Sequence, residues 1–91
     1  MRRLLVALLL ALVGNAFAVD ANTGNRAQLE QVRHIGPPLA DAILVARDKD
    51  GVFKDWPDLM LRVRGIRDAK ANKLSEAGLT VGGASYAAPP K

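Results

Sequence analysis

The chain has no cysteine, one histidine and only two serines in its 91 residues. Without cysteine no disulfide can brace the fold, and thiol catalysis and thiolate metal sites are excluded. A lone histidine with no spaced His, Asp or Glu around it makes no metal-ligand set. Neither Ser75 nor Ser85 has a base close by in sequence, and no glycine-rich nucleotide loop occurs. Catalysis is therefore not expected, and no cofactor is implied. Long apolar runs are also lacking. The strongest, Leu4 to Val13, is ten residues, well short of the ~20 that span a bilayer.

That run has another reading. Met1-Arg2-Arg3 is a short basic start, and Ala16-Phe17-Ala18 is a small-x-small site. Together they form a secretory signal peptide over residues 1–18, with cleavage expected after Ala18. Arg2-Arg3 alone does not make a twin-arginine signal, so general secretion is expected, with no stable membrane span after cleavage. The mature chain from Val19 keeps 73 of the 91 residues, enough for one small domain over 19–81. Its eleven basic residues face nine acidic ones, so it is mildly basic rather than polycationic. With no disulfides, it depends on efficient helix packing. Gly82 to Lys91 is small and proline-containing, and reads as a disordered tail.

Shifted by 31 positions, the sequence matches itself. Leu29 falls on Met60, Val32 on Val63, Arg33 on Arg64, Ile35 on Ile66, Ala40 on Ala71 and Ile43 on Leu74. Two helical hairpins follow each other, neither able to bury its apolar face alone. Asn25 caps the first helix, with Gln28 as its capping-box partner, and that helix runs to about Arg33. The second starts near Pro37, where a missing N–H is harmless, and stops at Gly51. Asp55 caps the third, which ends at Gly65. The fourth runs from about Asp68 to Ala77, and Leu79 to Val81 is a short extended segment packing back. The expected fold is all-α, a tandem helix-hairpin-helix (HhH)2 domain with four short helices.

The connection His34-Ile35-Gly36 between the first two helices is a tight stop and restart. One left-handed residue ends a helix, Ile35 plugs the core, and Gly36 opens the next helix without a side chain. A helix start of this kind leaves backbone N–H groups free at the positive end of the helix dipole, which favours an anion. In nucleic-acid binding such a contact holds a phosphate and reads no sequence. Trp56, just after the Asp55 cap, reads as a core or staple residue near Phe53.

The start Val19-Asp20-Ala21-Asn22-Thr23, then V-R-H-I-G-P-P-L-A-D-A-I, G-V-F-K-D-W-P-D-L and V-R-G-I-R, resembles the ComEA family of helix-hairpin-helix competence proteins. The resemblance covers about Val19 to Val81. It implies a periplasmic protein that binds double-stranded DNA without sequence preference during DNA uptake, alongside components of an uptake machinery. The same fold also serves as a non-DNA extrinsic subunit of photosystem II. The alternative is thus a secreted protein-interaction module that no longer binds DNA.

The family's hairpins are typically Gly-apolar-Gly. Here the first lacks the leading glycine, which is His34, and the second lacks the trailing one, which is Arg67. A left-handed φ at His34 should carry strain, and Arg67 either blocks the phosphate approach or supplies a charged contact to it. The resemblance implies DNA contacts at Arg33, Ile35 and Gly36 in the first hairpin. In the second it implies Arg62, Arg64, Gly65, Ile66, Arg67, Lys70 and Lys73. The second is the more basic, so the binding face is expected to centre there.

Overall fold

A computed structural model describes residues 18–87 of the chain. Residues 1–17, which hold all but the last residue of the expected signal peptide (1–18), and residues 88–91 lie outside the described residues. Six elements follow in order: β1 (Val19–Asp20), α1 (Arg26–Gln31), α2 (Pro37–Asp50), α3 (Trp56–Arg62), α4 (Asp68–Glu76) and β2 (Leu79–Thr80). The domain is helical, with four helices and one two-residue parallel strand pair.

Local chemistry sets the boundaries. The Asn25 side chain accepts from the Gln28 amide while the Gln28 side chain accepts from the Asn25 amide, a full capping box. Gly36 is the N-cap of α2 with prolines in the first turn, and Gly51 ends the helix at φ 84°. The Asp55 carboxylate accepts from the Asp58 amide and starts α3. The first, third and fourth helices stop slightly short of their expected ends, at Gln31, Arg62 and Glu76, because Val32 and Val63 already have extended backbone and Ala77 is the last cap.

The 31-residue repeat is visible in the packing. Val32 and Val63, Ile35 and Ile66, Ala40 and Ala71, Ile43 and Leu74 are all buried in one core. The match slips at one place. Leu29 is buried, but its partner Met60 is only partly so, and Leu59 fills the core position instead. The reason lies in the last turn. The Val32 amide donates to the carbonyl of Leu29, three residues back, whereas the Val63 amide donates to that of Leu59, four back. The tighter turn of α1 offsets its inward face by one residue.

The strand pair closes the domain. Val19 pairs with Leu79 and Asp20 with Thr80, and the Val19 and Ala21 amides donate to Gly78 and Thr80. Gly24 makes this possible: a Cβ there would lie 2.7 Å from Cγ1 of Val19. The Asp20 carboxylate accepts from the Asn22 and Gly83 amides and from the Thr80 hydroxyl. Burial pushes its pKa up, but these bonds and one from the Gly82 amide outweigh it and hold the carboxyl below its ordinary range. Asn22 clamps the linker between the hairpins, accepting from the Phe53 amide and donating to the Phe53 carbonyl.

The expectation of disorder from Gly82 onward does not hold as far as Ala87. Val81 and Ala84 form an antiparallel bridge. The buried Trp56 donates its indole N–H to the Ala84 carbonyl and packs against Tyr86, the ring centroids 5.4 Å apart. The Tyr86 amide donates to the Ser75 hydroxyl. An aromatic stack and four hydrogen bonds outweigh the tail's small-residue composition.

Candidate nucleic-acid interface

The two hairpins share one backbone design. After the valine cap comes an arginine, then a left-handed residue, a buried isoleucine, and an extended N-cap. His34 takes φ 78° and Gly65 takes φ 98°. Gly65 adopts that conformation freely, whereas His34 bears a Cβ penalty of roughly 1–2 kcal/mol. Ile35 and Ile66 are 4% and 2% exposed. Their side chains therefore hold the loops to the core and are withdrawn from a phosphate at the helix starts. The Ile35 amide is also taken, by the Val32 carbonyl.

The helix starts differ in what they offer. Neither Gly36 nor Arg67 has a side-chain cap. At α2 two of the leading positions are Pro37 and Pro38, which have no N–H, so Gly36 and Leu39 supply the free amides. At α4 the first internal bond runs from the Ala71 amide to the Arg67 carbonyl. The amides of Arg67, Asp68, Ala69 and Lys70 have no acceptor among the described residues. The second hairpin thus presents the fuller set of donors at a positive dipole end.

The basic side chains divide into two groups. Arg33, Arg64, Arg67 and Lys73 are exposed and have no ion-pair or hydrogen-bond partner among the described residues. Arg33 and Lys73 line one cleft with His34, between the end of α1 and α4. Arg67 stands at the N-cap of α4, and Arg64 is one residue before the left-handed Gly65.

Lys70 and Arg62 are committed elsewhere. Lys70 Nζ donates to the His34 carbonyl at 3.1 Å, joining the first hairpin loop to the first turn of α4. That exposed bond bridges the two hairpins, which their shared core holds side by side. Arg62 donates from Nη1 to Val52 O and Asp58 Oδ2, and from Nη2 to Ala46 O and Gly51 O, while its guanidinium lies 4.4 Å from the Phe53 ring centroid. The Lys54 amide, which donates to Asp58, does most to hold the Asp58 carboxyl below its ordinary pKa; burial opposes it, and the bond and charge of Arg62 add to the lowering. Arg62 therefore leaves the candidate interface and belongs to the scaffold. Its charge answers the last carbonyls of α2 and the loop beyond.

Two residues of the site were not anticipated. Asp68 opens α4 with a negative charge next to the free amides, and the Tyr86 hydroxyl donates to its Oδ1 at 2.6 Å. That bond, with burial and the carboxylate charge adding to it, pushes the Tyr86 pKa up. No signal in the tail's composition marks this contact beyond Tyr86 being the chain's one tyrosine. Among the described residues there is no group of three or more His, Asp or Glu placed to hold a metal, and no helix is long and apolar enough to cross a membrane.

Comparison with known sequences agrees with the architecture. Searches of curated proteins and of solved structures returned no match. The family model for the helix-hairpin-helix motif matches residues 14–77, from ahead of β1 to the end of α4. With both hairpins inside that match, the chain belongs to the helix-hairpin-helix motif family.

Proposed function

We propose that this protein binds double-stranded DNA without sequence preference, as a ComEA-like receptor in the periplasm during DNA uptake. The observation that carries the reading is the pairing of free helix-start amides with unpartnered cations. Four amides at the start of α4 and two at α2 are free, and Arg33, Arg64, Arg67 and Lys73 stand on the same two hairpins and on α4. Backbone amides take phosphate oxygens as they would any anion, and arginine adds bidentate charge. Backbone amides carry no base code, so contact through them is with the phosphate backbone and is indifferent to sequence. Two hairpins tied together by the Lys70–His34 bond grip phosphates on both strands across a groove. Such a hold is reversible and weak, on the order of 10⁻⁴–10⁻⁶ M at physiological salt. That suits a protein that retains incoming DNA by occupancy and then releases it. The role is non-catalytic.

Fluorescence anisotropy of a labelled random duplex with residues 19–91, at two salt concentrations, tests the reading. Four free cations predict a log–log salt slope of about −3 to −4. Glutamate at both Arg64 and Arg67 should remove binding without unfolding the chain, since neither side chain has an internal partner. Binding unchanged by that double reversal would place the interface elsewhere.

One feature favours a protein-interaction module instead. An apolar groove of about 590 Å³ runs beside the second hairpin, lined by Pro57, Met60, Leu61, Ile66 and Tyr86 among others. Leu61 on its edge is 87% exposed. Absence of DNA binding even at low salt would give this groove the functional role.

A further inference from the structure

The boundary between address and fold falls within a single residue. Ala18 is exposed, whereas Val19 is 7% exposed and part of the core. Val19 N donates to the Gly78 carbonyl at 2.9 Å, and Gly24 has no side chain where Val19 Cγ1 sits. Gly78 follows the end of α4: its amide turns back to the Ser75 carbonyl, and the Ala77 amide to that of Lys73. The nitrogen of Val19 is thus held at the negative end of the α4 dipole.

We propose that this nitrogen, once released as an α-ammonium by hydrolysis of the Ala18–Val19 bond, is a structural cation seated on the Gly78 carbonyl, so that processing strengthens the fold. Hydrolysis consumes one water. The Ala18 carbonyl carbon gains the hydroxyl and becomes a carboxylate, and the nitrogen leaves as the Val19 amine, protonated at neutral pH. An endopeptidase that reads alanine at both Ala16 and Ala18 is the class required. An amide–carbonyl hydrogen bond becomes a charge-assisted one, and a unit positive charge is added where α4 and its carbonyls favour it. Other charges bear on the site. Asp20 on the same strand and Glu76 in the last turn of α4 favour the ammonium. Lys73 on α4 and Arg47 on α2, which donates to the Ala21 and Gly24 carbonyls, oppose it.

The sign of the pH dependence follows. A folded-state amine pKa raised above the ordinary value of about 7.7–8.0 gives stabilisation fully present below that value. It is lost as pH rises through the folded pKa. The experiment compares residues 19–91 with residues 16–91, which retain Ala16-Phe17-Ala18 and keep the Val19 amide bond but move the charge away. At pH 6 the shorter chain should melt about 3–6 °C higher, and the gap should close by pH 10. An NMR titration of the Val19 amine in residues 19–91 should give a midpoint above 8, and sequencing of the exported protein should start at Val19. Equal melting at both pH values, an amine midpoint at or below 7.7, or an exported chain starting elsewhere would each overturn the proposal.

Discussion

Arg62 marks the sharpest difference between a basic residue that binds and one that builds. The test is Arg62→Met, which keeps the aliphatic stem over Phe53 and deletes the charge. Four hydrogen bonds go with it, to Ala46, Gly51, Val52 and Asp58. Hydrogen bonds from a charged donor contribute about 1.5–3 kcal/mol each when sheltered. Two of these carbonyl acceptors are exposed enough for water to replace the arginine, and the Asp58 carboxylate keeps its bond from the Lys54 amide when the arginine goes. The part-buried bond to Ala46 and the cation–π contact carry most of the remainder, the latter about 0.5–1 kcal/mol. A loss of roughly 3 kcal/mol results. A domain of this size has a total stability of about 4–11 kcal/mol, so the change is large. Melting followed by far-UV circular dichroism should shift down by about 12–20 °C, and the urea midpoint should fall with an unchanged m-value. Well below its midpoint the variant should bind DNA as the parent does. A shift under 3 °C would refute the scaffold assignment. So would a loss of affinity matching that of Arg67→Ala.

Four further outcomes are expected. His34→Gly relieves the left-handed strain at φ 78° and should stabilise by about 0.5–1 kcal/mol, net of the unfolded-state entropy that glycine adds, read as a rise in melting temperature. Gly24→Ala drives a Cβ to 2.7 Å from Val19 and should destabilise by about 1–3 kcal/mol, with the loss measured by urea titration. Asp20 has a depressed folded pKa, so its contribution is present above the ordinary ~3.9 and disappears as pH falls through the lower folded value. The melting gap between the parent and Asp20→Asn should therefore be constant from pH 5 to 7 and close as pH falls through the lowered folded pKa. Arg33→Ala and Arg67→Ala should each reduce the anisotropy salt slope by about 1, with the larger affinity loss at Arg67, where more free amides surround the phosphate.

Patterns that repeat locally were legible in the sequence, and contacts that cross the chain were not. The 31-residue repeat placed Val32, Ile35, Ala40 and Ile43 and their counterparts in the core, because helical spacing and burial are coupled. Caps at Asn25 and Asp55 could be read because each acts within three residues. The strand pair joins Val19 to Leu79, and no local signal announces a two-residue partner so distant in sequence. The tail was misjudged because composition weighs Gly82 to Ala87 as a set, whereas one tyrosine stacked on Trp56 orders it. Arg62 was misread for a related reason. Spacing assigns a cation to a helix face, but not to the carbonyls that a neighbouring helix end brings beneath it.

That last distinction reshapes the candidate interface. Counting charge along the second hairpin suggested five cations, but Arg62 and Lys70 are already answering carbonyls of the protein itself. What remains of the five, Arg64, Arg67 and Lys73, is joined by Arg33 of the first hairpin. The imbalance survives in the backbone. Prolines remove donors from the start of α2 and not from that of α4. Asp68 offsets part of this advantage, since a carboxylate beside the α4 amides repels phosphate, and the Tyr86 hydroxyl occupies one of its oxygens. The second hairpin thus has the richer set of donors and also its own internal anion.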